Sequence, residues 1–164
     1  MKTRIMPLLS LFVAISLVCA VSGVSAEEYA TMKGVESVKV VFDERESSPQ
    51  TAVVHLNLLH QTFKDLEAMN KNPVFVVIFS GPSVKLISKN REGFPPGDQK
   101  SLDEVANTLS EMSKDGITLE MCLVAAKVFG VDPASALPEI KRVGNGWISM
   151  IGYQAQGYSL VPIY

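Results

Sequence analysis

Gly116-Ile117-Thr118-Leu119-Glu120-Met121-Cys122-Leu123-Val124-Ala125-Ala126-Lys127-Val128-Phe129-Gly130 is the stretch that decides the fold. Ile117, Leu119 and Met121 alternate with polar residues, the period of a strand. From Leu123 the apolar residues crowd at helical spacing, and Gly130 supplies a stop. Cys122 falls on the junction, at the carboxyl end of a strand and the amino end of a helix. Open α/β sheets place ligand sites at such ends. The free N–H groups of a helix start favour a thiolate there.

The flanking sequence repeats the alternation. Val38–Phe42 is a β-rich run, and Asp43–Ser48 reads as a charged connection. Ser48-Pro49 offers a helix cap followed by proline at the first helical position. Ala52, Leu56, Leu59, Phe63 and Leu66 then form an apolar stripe spaced by three and four. Val74–Phe79 is uninterrupted apolar sequence, which suits a strand buried on both faces. Asn90–Lys100 reads as loop. Ser101 and Glu104 form a capping box before a helix faced by Leu102, Val105, Leu109 and Met112. Ile140–Val143 is a short strand. Trp147–Gln156 forms a helix with Trp147, Ile148, Ile151 and Ala155 inward. Tyr158–Pro162 is a last strand. Strand and helix alternate throughout. The expectation is therefore an α/β fold with a mostly parallel five-stranded sheet covered by helices on both faces.

The chain has 164 residues, so one domain is expected, over residues 37–164. Lys2 and Arg4, the apolar run Leu8–Val18 and the small residues Val24-Ser25-Ala26 make residues 1–26 a secretory signal peptide, cleaved after Ala26. That run is short for a membrane span, so no stable membrane insertion is expected after its removal. Residues 27–36 are polar and aperiodic, a flexible mature N-terminus. The mature chain is expected to be periplasmic or secreted. It carries 13 basic against 17 acidic residues, net −4, with no basic cluster, which excludes a nucleic-acid partner. It keeps one cysteine, Cys122. An odd cysteine outside the cytoplasm is a reactive thiol, a buried inert one or half of an interchain disulfide.

Other candidate residues are sparser. His55 and His60 lie on the first helix. Five residues turn a helix through about 500°, leaving the two roughly 140° apart, so they cannot share one metal ion. Either could approach Cys122 as a base. No metal site and no cofactor motif is found; GxGxxG, P-loop and HExxH spacings are missing. Ser80-Gly81 follows the second strand at the sheet's carboxyl edge. Asn145-Gly146-Trp147 opens the last helix with N–H groups directed outward, a candidate substrate-binding turn. Trp147, Tyr153, Tyr158 and Tyr164 wall a pocket, form a subunit contact or fill core.

Asp115–Cys122, then Phe129-Gly130-Val131, Leu137-Pro138, Val143–Trp147 and Gln156-Gly157-Tyr158, in that order, resemble the DsrE/DsrF-like (sulfur-relay) family. Val74–Gly81 resembles that family's second strand and following turn. The resemblance implies a doubly wound, flavodoxin/Rossmann-like α/β domain of the DsrE-like kind, assembled into homo-oligomers, trimers or hexamers. It also implies a cysteine at the end of the third strand that carries sulfur as a persulfide; the matching position is Cys122. The reading that follows is an exported sulfur-trafficking protein, a possible sulfurtransferase, passing sulfane sulfur to a thiol-bearing acceptor protein. The alternative is a non-catalytic homo-oligomeric module that binds a small ligand or partner while Cys122 only packs. Leu123-Val124 replaces the family's frequent Gly-Asn after the cysteine and makes the pocket more apolar.

Overall fold

The computed structural model describes residues 29–164. The expected signal peptide lies outside the described residues. Five parallel strands form one sheet: β1 (Val38–Glu44), β2 (Pro73–Phe79), β3 (Thr118–Cys122), β4 (Lys141–Val143) and β5 (Ser159–Ile163). Their spatial order is β4-β3-β2-β1-β5. Four helices connect them: α1 (Pro49–Ala68), α2 (Gln99–Lys114), α3 (Leu123–Val128) and α4 (Gly146–Ala155).

The chain steps from β1 to β4 toward one edge, then returns across the sheet to β5 at the other. A right-handed crossover keeps its hand under that reversal only by changing face. Side-chain alternation shows the result. Phe75, Val77 and Phe79 pack with the stripe of α1 and with Leu102, Val105 and Leu109 of α2. Val76 and Ile78 turn the other way, with Val41, onto Met150 of α4. The unbroken apolar run of β2 is thus explained: both its faces are covered.

Helix starts follow local chemistry with one exception. The Ser48 side chain accepts from the Thr51 N–H, as the Ser-Pro sequence requires. The expected capping box at Ser101 does not form. A 3₁₀ turn at Pro96–Asp98 winds the backbone early, so α2 begins at Gln99 and Ser101 lies inside its first turn. Asp98, at the cap position, spends its carboxylate on Gln50 instead. The N-terminal segment carries a 3₁₀ turn at Ala30–Met32, and the Lys71 ammonium donates to the carbonyls of Met32 and Val35.

The inward face expected for α4 is wrong. Trp147, Ile148 and Ile151 are 64–69 % exposed, and Ala155 is exposed too. Gly146 and Met150 face the sheet instead. Two polar contacts fix this rotation: Ser149 Oγ and Tyr153 Oη both donate to the buried Glu120 carboxylate, at 2.5 and 2.7 Å. Burial, and then the Glu120 carboxylate, hold the Tyr153 phenol well above its ordinary range. A helix bonded to the strand through residues 149 and 153 must turn 147, 148 and 151 outward.

β1 runs two residues further than its apolar core. Asp43 and Glu44, expected in a charged connection, are the buried end of the strand. Glu44 is fully buried. Its Oε1 accepts from the Glu46 N–H at 2.8 Å, while Oε2 has no hydrogen-bond partner and stands 3.8 Å from His55 Nδ1. Burial, above all, pushes the Glu44 carboxyl up from 4.5 to about 7. The folded chain therefore holds this proton over a pH range in which the unfolded chain has released it. The stabilisation from it is complete below about pH 4.5 and is lost as pH rises through about 7. The difference corresponds to about 3 kcal/mol. Glu44→Gln keeps the bond to Glu46 and cannot ionise. Urea denaturation at pH 8.5 should show the variant more stable than wild type by about 1–3 kcal/mol, with the gap closing by about pH 5.

Candidate functional site

The carboxyl ends of β1, β2 and β3 and the start of α4 converge on one pocket of about 250 Å³. β2 delivers Ser80 and Gly81, β3 delivers Cys122, and the turn after β4 delivers Asn145 and Trp147. Val124 and Val128 of α3, with Phe129, supply apolar wall. The sequence-derived substrate-binding set, Ser80, Gly81, Asn145, Gly146 and Trp147, is therefore brought together around Cys122.

Cys122 is 6 % exposed and is a free thiol. It occupies the cap position of α3, where serine, threonine or aspartate is usual. Its Sγ accepts from the Ala125 N–H at 3.4 Å and from the Gly146 N–H at 3.1 Å. One sulfur thus answers unpaired backbone donors at the start of two helices. The second bond requires close approach. A Cβ at residue 146 would stand 3.1 Å from Cys122 Cβ and 3.1 Å from Ile78 Cγ2. Glycine is the residue that lets the α4 backbone reach the sulfur. Asn145 caps the same helix, its Oδ1 accepting from the Trp147 N–H at 2.9 Å.

Glu120 and Cys122, two apart on β3, both turn toward α4. Glu120 holds the middle of that helix and Cys122 holds its start. Although Glu120 is only two residues from Cys122, its carboxylate is committed to Ser149 and Tyr153.

Neither histidine lines this pocket. His60 Nε2 lies 2.6 Å from Asp115 Oδ2, which also pairs with Lys64 at 2.7 Å. Asp115 precedes β3, so that cluster sits at the amino edge of the sheet, opposite the pocket. His55 stands at the carboxyl end of β1 beside Glu44. No group of three or more His, Cys, Asp or Glu able to hold a metal occurs among the described residues.

Sequence reasoning passed over Asp43 and Arg45. Arg45 lines the pocket with Cys122. Asp43 is buried and takes Ser80 Oγ on one oxygen at 2.5 Å and Arg45 Nε on the other at 2.9 Å. The signal was present: charged residues directly after an apolar parallel strand fall at the carboxyl edge, where ligands bind. A second cleft, about 370 Å³ and of mixed polar and apolar lining, lies beyond Phe129, which borders both.

Comparison with known proteins fits this architecture. An uncharacterized protein from Aquifex aeolicus (strain VF5) is 25 % identical over 129 residues, covering 76 % of this chain; the chain spans 56 % of that relative's length. The protein of unknown function MTH1491 from Methanobacterium thermoautotrophicum superposes with a TM-score of 0.62 at 16 % identity, over 77 % of this chain and all of the other. The ychN protein from E. coli superposes with a TM-score of 0.50 at 9 % identity, over 77 % of this chain and 99 % of the other. These structures share the fold. The family model described as DsrE/DsrF-like matches residues 60–163, and this chain belongs to the DsrE/DsrF-like family.

Proposed function

We propose that this chain is an exported carrier of sulfane sulfur, held as a persulfide on Cys122 and passed to a thiol-bearing acceptor protein. Family membership supports a sulfur-relay-related role. The observation that carries the reading is the pair of backbone N–H groups on Cys122 Sγ at the back of an open pocket. Backbone donors fixed by two helices stay directed at the sulfur without any rearrangement. The Cys122 thiolate attacks a sulfane sulfur, whose bond to the rest of the donor breaks with its electron pair leaving on the donor; an acceptor thiolate then attacks the outer sulfur of the persulfide and releases the Cys122 thiolate. The apolar walls suit a polarisable sulfur atom and keep water from the persulfide.

Intact mass after incubation with polysulfide tests this. Wild type should gain the mass of one sulfur atom, and Cys122→Ser should gain none. Wild type without the increment rejects the carrier reading.

A second reading is favoured by burial: at 6 % exposure Cys122 serves only to join α3 to α4 within a binding module. Under it, thiol reagents leave the native protein unlabelled, and Cys122→Ala retains ligand binding.

The carrier is further proposed to act as a homo-oligomer, a trimer or hexamer. Trp147 on α4 and Val124 and Val128 on α3 expose apolar surface at the pocket, and Ile148 and Ile151 expose more along α4. Residues so exposed are not needed for the monomer's core, so charges there should spare the fold. Sedimentation of the double variant Ile148→Glu, Ile151→Glu should shift to the monomer mass while its far-ultraviolet circular dichroism stays that of wild type. An unchanged sedimentation coefficient would place the subunit contact elsewhere.

A further inference from the structure

We propose that Arg45 selects the sulfur donor: the pocket takes a small anion whose sulfane sulfur is bonded to a sulfonate group, thiosulfate being the simplest. This rests on the carrier reading of Cys122 and names its substrate class. Arg45 is the one charged residue in the lining of the Cys122 pocket. It directly follows the buried end of β1, and its backbone N–H donates to the Ile163 carbonyl at 3.1 Å, which fixes the main chain there. Its Nε is taken by Asp43 at 2.9 Å. Asp43 is itself buried and held by Ser80 Oγ, so the guanidinium is oriented from behind through a chain of buried groups. Its two terminal nitrogens have no protein partner among the described residues.

A planar fork with its inner edge satisfied and its outer edge free matches two oxygens of a tetrahedral oxyanion. The remaining lining is apolar or neutral, so the guanidinium is the one formal charge that an anion entering the pocket meets. A donor that carries no oxygen, such as polysulfide, offers the fork nothing of that geometry. The free Arg45 fork and the amide-held Cys122 sulfur border the same 250 Å³. That space suits a donor with sulfonate at one end and sulfane sulfur at the other.

The chemistry balances without a co-reactant. The Cys122 thiolate attacks the outer sulfur of thiosulfate, and an S–S bond forms between Sγ and that sulfur. The bond from the outer sulfur to the sulfonate sulfur breaks, and its electron pair departs with sulfite. Cysteine persulfide anion and sulfite dianion carry the charge that thiolate and thiosulfate brought, and no proton, oxidant or reductant is consumed. Arg45 contributes by holding the oxygens of the group that becomes sulfite, where charge builds as the bond breaks.

The test compares sulfur loading of Cys122 from thiosulfate and from polysulfide, by intact mass against time, in wild type, Arg45→Gln and Arg45→Lys. Circular dichroism confirms that each variant is folded. The expected result is loading of wild type from both donors. In Arg45→Gln the ratio of thiosulfate to polysulfide rates should fall by about tenfold or more, the loss of a bidentate charged contact. Arg45→Lys keeps the charge without the fork and should recover only part of that ratio. Added sulfite should compete with thiosulfate in wild type and compete less in Arg45→Gln. Wild type that loads from polysulfide but not from thiosulfate overturns the donor assignment and leaves the carrier reading standing. Equal loss from both donors in Arg45→Gln reduces Arg45 to a support of the fold and also overturns it. Wild type that loads from neither removes the carrier reading and the assignment together.

Discussion

A single sulfur atom ties the two helices that bound the pocket. Cys122 Sγ accepts from the third residue of α3 and from the first residue of α4. The two donors, Ala125 and Gly146, are 21 residues apart in sequence, and their helices approach the sheet differently. α3 continues directly from β3, while α4 arrives from β4 and crosses the far face. The sulfur can serve both only because residue 146 has no side chain. Larger atoms at that position would separate α4 from Ile78 and Cys122 and cost the contact that closes the pocket's floor.

Glu120 reinforces the same junction. It sits one pleat before Cys122 and takes two hydroxyls from α4. A buried carboxylate that lost these donors would be left with an unmet desolvation cost, so the pair of hydroxyls and the carboxylate act as one unit. Between them, Cys122 and Glu120 set both the height and the rotation of α4. The pocket is thereby built from rigid elements, and only Arg45 reaches it from a flexible side chain. That side chain is in turn held by Asp43.

The fold was legible because β2 is apolar at every position and β3 alternates before a helical run. No other common architecture accommodates both patterns with helices between. The positions of Ser80, Gly81 and Asn145 followed from strand ends, since parallel strands share one carboxyl edge. Other features were hidden for physical reasons. The burial of Asp43 and Glu44 depends on Ser80, Ser83 and the Glu46 backbone, which come near only after folding. The rotation of α4 could not be read from hydropathy, because its apolar residues lie on the side away from the sheet. Helical periodicity finds an apolar stripe and cannot tell whether a core or another molecule covers it. At Ser101 a good capping sequence lost to the turn before it, where Pro95-Pro96 had already wound the chain.

The two margins of the sheet differ from its middle. β4 offers three residues, and β5 presents a partly exposed outer strand that contains Pro162, a residue with no N–H to donate. Neither margin is a good template for an incoming strand, so runaway cross-β stacking finds no long ladder to extend. A chain with a stretch as apolar as Val74–Phe79 needs that protection, because the same sequence exposed would be a hazard for amyloid growth. As the central strand, third from either margin, that segment is sealed between β1 and β3, and any self-association is left to side-chain surfaces.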